Sequence, residues 1–423
     1  MKFIKKIGRR LYKDRFLILA WGLFFLTRLL ILKFPPPFYS DVSHDYERYA
    51  NIWWYGLPPY LKHYYEYPPG TIPLLLFPLW LDLSGLGVYY LNYRLQIFGL
   101  EILLFGWLLK ALRKLNTSFF SKYLAVSFYC LIGLVAKDFW YEGLDLVFIG
   151  AYVAALVFWY LNRRDRFLLK IASWLFFWLS IALKFMSGPL LLLFWAIQKS
   201  KWKRNLLAAL AGFIIVWGVP LAIFRSSLSV SLVFHLNRGA KYASFPSFII
   251  EVVNQFTGTE VRLDQPPDFQ FVGPVTDRVL HFFSPLFFVG IILINLGFFY
   301  KLTKKREVKN LETLLRYSLI YILFVFLTGK VFSSPFHIWL IPLITIFPFK
   351  KIKQQLLAMF LVLYMVILDT TPWIRLPEIY VFKPISLNLI LGATRFVPMI
   401  ILLSWFSWRS IRQPILKKNK GSR

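Results

Sequence analysis

Cysteine is nearly absent from this sequence, and acidic residues are scarce. The single cysteine, Cys130, lies in an apolar run, which excludes an internal disulfide, a cysteine-ligated zinc site and an iron–sulfur cluster. Asp and Glu together number 20, against 50 Lys and Arg, so the formal net charge is +30. Because these basic residues are not gathered into one domain or patch, we predict no nucleic-acid partner. A Gly-rich phosphate loop is also missing, so no nucleotide-sugar site is expected.

Apolar and aromatic residues dominate what is present. Hydrophobic residues make up 58% of the chain and aromatic residues 20%, and the mean hydropathy is +0.58. A water-soluble surface does not fit these values, and a disordered chain is excluded. The sequence therefore predicts an all-α polytopic membrane protein, with residues 1–423 forming a single integral-membrane domain.

Twelve membrane spans are predicted from apolar runs that are broken at charges, Gly and Pro. They lie near 16–33, 88–109, 119–136, 143–161, 167–183, 185–197, 205–224, 280–300, 311–328, 337–349, 354–368 and 386–406. With cytoplasmic N- and C-termini, the inner segments hold 34 of the 50 basic residues, as the positive-inside rule requires. The spans 185–197 and 337–349 are short, and we expect them to tilt or to be broken helices.

Two long outer segments remain, 34–87 and 225–279, and we expect function to be carried there. In the first, Val42–Tyr55 has the pattern of an amphipathic helix at the membrane surface, with Ser40 and Asp41 in its N-cap region. The twelve residues after Gly70 are too few to cross, so they are predicted to form a second interfacial or re-entrant helix.

Three blocks of sequence resemble membrane-embedded GT-C glycosyltransferases, specifically the family eighty-seven mannosyltransferases that use polyprenyl-phosphate-mannose. The second block is HLNRGAKYAS, from His235 to Ser244, and the third is GKVFSSPFHIWLIP, from Gly329 to Pro342. The third departs from the family's Ser-Pro-Gln-Tyr, because Pro335 and Phe336 follow Ser334 here. The first block consists of Asp41-Val42, Tyr46, Tyr49-Ala50, Gly56, Pro59-Tyr60 and Glu66-Tyr67-Pro68-Pro69.

The resemblance implies transfer of a sugar, mannose in the family, from a polyprenyl-phosphate donor to an extracytoplasmic glycan or glycolipid acceptor. It places the catalytic base at Asp41, for which an N-cap role is the structural alternative. Arg238 is the first candidate for the donor phosphate, with Lys241 and Lys330 as further cations. Glu66, Tyr46, His235 and Asp45 complete the predicted substrate-binding set. For the basic residues, contact with lipid headgroups or snorkelling is the alternative.

Other charged residues near the outer side are left outside the predicted catalytic set. Lys137, Asp138, Glu142 and Asp145 form one such cluster, in which a Lys137–Glu142 pair is a sufficient structural explanation. Lys184, at an outer turn, is similarly ambiguous. No His-x-x-x-His or Asp-x-Asp spacing occurs, so no metal and no other cofactor is predicted.

Two other functions stay open at this point. A transporter or lipid flippase would also be a twelve-span bundle, although the matching broken helices of two related halves are not evident. A glycan polymerase or ligase using diphosphate-linked donors would share the long outer loops. The expected location is a bacterial-type plasma membrane, with membrane lipid as a partner and the active site on the extracytoplasmic side.

Overall fold

The chain is almost entirely helical, as expected for an all-α membrane protein. The structure is a computed structural model that describes residues 2–35, 40–162, 164–198, 202–257, 262–263, 270–303, 310–370 and 385–412. Six helices in these ranges are long and apolar enough to cross a membrane. They contain Arg15–Lys33, Tyr89–Lys114, Trp202–Asn237, Pro274–Thr303, Leu311–Thr328 and Ile352–Thr370.

Within the described part of the first half, the chain forms nine α-helices, several of them joined by short 3-10 or π-helical turns. They are α1 (Lys2–Lys33), α2 (Glu47–Trp54), α3 (Ile72–Leu83), α4 (Tyr89–Lys114), α5 (Phe119–Val135), α6 (Lys137–Trp140), α7 (Asp145–Leu161), α8 (Phe167–Leu183) and α9 (Leu191–Ile197). A π-helical turn, Val42–Tyr46, precedes α2, and a 3-10 turn, Phe185–Leu190, precedes α9.

In the second half, the described residues form eight more α-helices and a small sheet. The helices are α10 (Trp202–Phe224), α11 (Ser229–Asn237), α12 (Phe245–Thr257), α13 (Pro274–Thr303), α14 (Leu311–Thr328), α15 (Leu340–Thr345), α16 (Ile352–Thr370) and α17 (Ile385–Arg412). Another 3-10 turn, Ser334–Trp339, leads into α15. The strands β1 (Ala240–Lys241), β2 (Arg262–Leu263) and β3 (Gln270–Val272) are antiparallel in the order β1-β3-β2.

Burial separates central helices from those at the periphery. α7 packs against α4 and α8, and most side chains of α14 are buried. α10 and α13 instead expose large apolar side chains such as Leu207, Ile214 and Phe288, as expected of helices that face lipid. The apolar outer faces and the buried centre together describe a membrane bundle.

Each segment predicted as a span contains a helix in the structure, and neither of the two short segments is one continuous α-helix. Segments 185–197 and 337–349 each combine a 3-10 turn with a short α-helix. Pro189 and Pro335 lie in those 3-10 turns, where a missing amide N–H costs no α-helical hydrogen bond.

The first outer segment folds largely as its pattern predicts. Three aromatic side chains of this amphipathic pattern, Tyr46, Tyr49 and Trp53, are buried. Trp54, the last residue of α2, is exposed. After Gly70 the chain forms the short helix α3. A Cβ on Gly70 would stand 2.7 Å from the Ala182 carbonyl oxygen, so this glycine lets the first outer segment touch the end of α8.

Candidate functional site

Asp41 begins the π-helical turn ahead of α2, directly after the first span. Its own backbone is helical, and its side chain makes no capping hydrogen bond. Instead the Val42 N–H donates to Ser40 Oγ at 3.2 Å. The N-cap role proposed for Asp41 is therefore wrong, and its carboxylate is not used to satisfy the start of the helix.

A buried ion pair fixes the backbone just before Asp41. Ser40 Oγ donates to Glu142 Oε2 at 2.5 Å, and Arg94 Nε lies 3.2 Å from Glu142 Oε1. Arg94 also donates to the carbonyl oxygens of Ile31 and Phe34 at the end of α1, at 3.0 and 2.9 Å. The end of the first helix and the start of the segment that carries Asp41 are thus held by the same pair.

The electrostatic surroundings of Asp41 suit a general base. The side chain is only partly exposed, and burial raises the pKa of Asp41 to about 6. The positive charges of Lys241 and Lys184 oppose that rise, whereas the negative charges of Asp45 and Asp145 add to it. At neutral pH the carboxylate is mostly ionised, yet it is a stronger base than an exposed aspartate.

Of the predicted cations, Lys241 acts on Asp41 through its charge. Lys241 lies in β1, and its amide donates to the Lys330 carbonyl oxygen at 2.8 Å. Lys330 Nζ in turn donates to the Leu236 carbonyl oxygen at 2.6 Å. Arg238 sits at the end of α11 with its guanidinium 5.3 Å from the centre of the Phe234 ring. The structure therefore brings Lys241, Lys330 and Arg238 into one region.

Glu66 and His235 join the two outer segments. Tyr49 donates to Glu66 Oε2 at 3.1 Å, and burial raises the pKa of Glu66 while the Arg238 charge lowers it. The His235 ring hydrogen-bonds the backbone of Glu66, and burial together with the charge of Arg238 lowers the pKa of His235 to about 4. His235 is therefore neutral at physiological pH and adds no positive charge for a phosphate.

Asp45 and Tyr46 lie close to Asp41 and affect its surroundings in different ways. Asp45 pairs with Arg48 at 3.0 Å on the surface of the first outer segment, where an ion pair contributes little stability. Tyr46 is buried beneath Asp41, and its hydroxyl is hydrogen-bonded to that of Tyr67. Tyr46 is thus part of the buried surroundings of Asp41, and Asp45 acts on Asp41 through its negative charge.

Two residues outside the predicted catalytic set, Lys184 and Asp145, belong to this site. Lys184 Nζ lies 2.5 Å from Asp145 Oδ1, and Trp339 Nε1 donates to the same oxygen at 2.6 Å. Lys184 also lies over the Phe336 ring, 4.6 Å from its centre. Because the charges of Lys184 and Asp145 act on Asp41, they belong to its environment. The sequence feature that could have identified Lys184 and Asp145 is that each is an ionisable residue at the end of an apolar run.

The ion pairs of the neighbouring cluster differ from the prediction. Lys137 pairs with Asp138 at 2.7 Å, not with Glu142. Glu142 is buried with Arg94, because the turn after α6 directs it towards α4 and the end of α1. Among the residues that the structure describes, no group of three or more His, Cys, Asp or Glu side chains could hold a metal ion.

The arrangement combines a half-buried carboxylate, several cations and buried tyrosines at the outer end of a membrane helix. No protein-family model and no curated protein matches this chain. Chemically, the site can accept a proton at Asp41 and can stabilise a developing anion beside it. Function must therefore be argued from this geometry.

Proposed function

We propose that this chain is a GT-C type membrane glycosyltransferase that moves a sugar from a polyprenyl-phosphate donor to an extracytoplasmic glycan or glycolipid acceptor. The observation that carries the proposal is Asp41, a carboxylate with no capping role, whose pKa is raised to about 6 beside the charge of Lys241. The first-loop resemblance agrees with this placement of the base. Mannose is the first sugar to test.

The reaction needs a base on one side of the anomeric carbon and positive charge on the other. In the proposed step Asp41 takes the proton of the acceptor hydroxyl, whose oxygen forms the new bond to the anomeric carbon. The bond from that carbon to the phosphate oxygen breaks, and its electron pair leaves with the polyprenyl phosphate. Arg238 and Lys330 stabilise the departing phosphate, with Lys241 between them and the base.

The membrane arrangement that we propose has twelve spans, with both termini in the cytoplasm of a bacterial-type cell. The twelve helical segments support it, and so does the excess of Lys and Arg in the inner connections. The cytoplasmic end of this arrangement has its own charge cluster, in which Asp165 lies 2.5 Å from Lys170 and 3.5 Å from Arg204. The catalytic segment then faces outward, where lipid-linked sugars rather than nucleotide sugars are the donors.

The decisive experiment incubates the purified protein with a panel of polyprenyl-phosphate sugars and measures released polyprenyl phosphate. We expect release with at least one donor, and a loss of at least about a hundredfold in Asp41→Asn, because the base is removed while its shape is kept. Asp138→Asn is the matched control, since Asp138 pairs with Lys137 and is not among the charges that act most on Asp41.

Three results would reject the proposal. Undiminished turnover in Asp41→Asn would show that another group is the base. Movement of a lipid-linked substrate across liposomes without any bond cleavage would instead support the carrier function. Release of diphosphate from a diphosphate-linked donor would indicate the polymerase or ligase class.

A further inference from the structure

A second feature of the outer side is an open cleft between the small sheet and the start of α13. Its volume is about 1140 Å³. One wall carries Arg238 and Lys330, and the other carries residues of the first three turns of α13, among them Thr276, His281 and Ser284. A cleft of this size has room for much more than a single ion. Asp41 does not line it, so the cleft extends away from the base.

The beginning of α13 presents amide groups to this cleft. The helix starts at Pro274, and the Asp277 N–H donates to the Gly273 carbonyl oxygen at 3.1 Å. By helix geometry, the amides of Val275 and Thr276 have no acceptor within the helix. Gly273 has a φ of +127°, a conformation that favours glycine, and the turn that it makes places β3 next to these amides. The helix dipole makes this end favourable for an anion.

Thr276 gives a second and independent indication of a ligand. The residue is only 2% exposed, lines the cleft, and has a hydroxyl with no hydrogen-bond partner among the described residues. A buried hydroxyl without a partner is unfavourable, because it has given up its hydrogen bonds to water and gained none in exchange. Threonine in a helix commonly bonds to a carbonyl of the preceding turn, as Thr257 does with Val253 at 3.0 Å. Thr276 makes no such bond, so a residue that lines the cleft holds a buried hydroxyl without a partner among the described residues.

The charges around the cleft identify the chemistry of that ligand. Two cations and a helix N-terminus face one another across it, and this combination binds phosphate oxygens. The exposed carboxylate of Asp277 also lines the cleft, and we expect it to turn to solvent when an anion is bound. Further along α13, Leu280 and Pro285 continue the lining into a candidate membrane span. The apolar continuation favours a phosphate that is attached to a lipid.

We propose that Thr276 and the first-turn amides of α13 bind the phosphate of a polyprenyl phosphate, opposite Arg238 and Lys330, with the first isoprene units lying along α13. The inference rests on the proposed function for the identity of the lipid. It adds a phosphate-binding element that the sequence motifs do not contain. The same site would hold the donor before transfer and the free lipid phosphate after it.

Binding of farnesyl phosphate to the purified full-length protein, in nanodiscs of phosphatidylcholine, tests this site without any need for turnover. We expect Thr276→Val to weaken binding about tenfold, and Thr276→Ser to stay within about twofold of the wild-type protein, because only serine keeps the hydroxyl. Thr257→Val is the matched control, since Thr257 lies on α12 outside the cleft. Farnesol should bind much more weakly than farnesyl phosphate.

Three outcomes would overturn the inference. Unchanged binding in Thr276→Val would show that Thr276 is not part of the site. Farnesol that binds as tightly as farnesyl phosphate would show that the phosphate group is not recognised. Inorganic phosphate that binds as tightly as farnesyl phosphate would identify a site for the free ion rather than for a lipid. Failure of the enzyme proposal would look different, because hydroxyl-dependent binding would persist in a protein that releases nothing from any polyprenyl-phosphate sugar.

Discussion

At the scale of single residues, the charge state of Asp41 governs the chemistry. Because the pKa of Asp41 is about 6, the proportion of ionised base falls as pH falls through 6, to about one tenth at pH 5. We expect kcat/KM to fall in the same way, which gives its pH profile an acidic limb, since the base must be unprotonated in the free enzyme. A pH profile of polyprenyl-phosphate release measures it, and a rate that stays constant from pH 7 to pH 5 would contradict it.

The neighbours of Asp41 should move that limb in opposite directions. Lys241→Met removes a positive charge that lowers the pKa of Asp41, so the acidic limb should shift to higher pH. Asp45→Asn removes a negative charge that raises the same pKa, so the limb should shift to lower pH. Lys62→Met serves as the control, because Lys62 is an exposed lysine of the same outer segment. Shifts of the same sign in the first two variants would show that the charges do not act on Asp41.

At the scale of structural elements, the link between α1 and the catalytic segment controls where Asp41 lies. Ser40→Ala removes both the hydrogen bond to Glu142 and the acceptor for the Val42 amide. We expect kcat to fall about ten- to a hundredfold with little change in KM, because a displaced base harms the transition state more than substrate binding. Steady-state kinetics at several donor concentrations separate the two constants.

Ser43→Ala is the control for this prediction, since Ser43 lies in the same turn and is exposed. It hydrogen-bonds only the Ser40 carbonyl and the His44 ring, at 3.4 and 3.3 Å. A structural role alone would lower the melting temperature of Ser40→Ala without lowering kcat in the protein that remains folded. That result would remove Ser40 as a positioning residue.

The helices and the site differ in how far the sequence predicts them. Apolar runs predicted where helices lie, for example 119–136 against Phe119–Val135, because an apolar helix is a local property of its composition. The bounds are less accurate for α1 and α13, which begin well before the predicted segments 16–33 and 280–300. The strands β1 to β3 were not predicted, because two or three residues form no recognisable pattern. The contact of Lys184 with Asp145 could not be predicted from the sequence either, since it joins residues 39 positions apart.

At the scale of the whole molecule, one buried ion pair fastens several helices together. Arg28 of α1 lies 2.8 Å from Glu101 of α4 and donates to the Cys130 carbonyl oxygen of α5 at 2.7 Å. Tyr129 and Trp140 donate to Glu101 at 2.8 and 3.2 Å. Every atom of this network lies inside the bundle, where an unpaired charge is costly.

Removing one partner of this pair should therefore destabilise the bundle more than removing both. Glu101→Ala leaves Arg28 buried and unpaired, at a cost of about 3–5 kcal/mol. Adding Arg28→Met should recover part of that loss. Thermal unfolding in detergent, followed by size-exclusion chromatography, compares the two proteins. Equal melting temperatures in Glu101→Ala and the wild-type protein would show that the pair does not hold the helices.

The orientation of the molecule in the membrane can be tested because its single cysteine is fully buried. We expect Cys130 itself to be unreactive in the folded protein. In intact cells, a membrane-impermeant maleimide should label Lys62→Cys, in the outer segment, but should label Arg164→Cys only after the cells are opened. Both side chains are exposed, so access to the reagent and not burial decides the result. Labelling of Arg164→Cys in intact cells would place the basic connections outside and would put Asp41 on the cytoplasmic side, where a polyprenyl-phosphate sugar is not the expected donor.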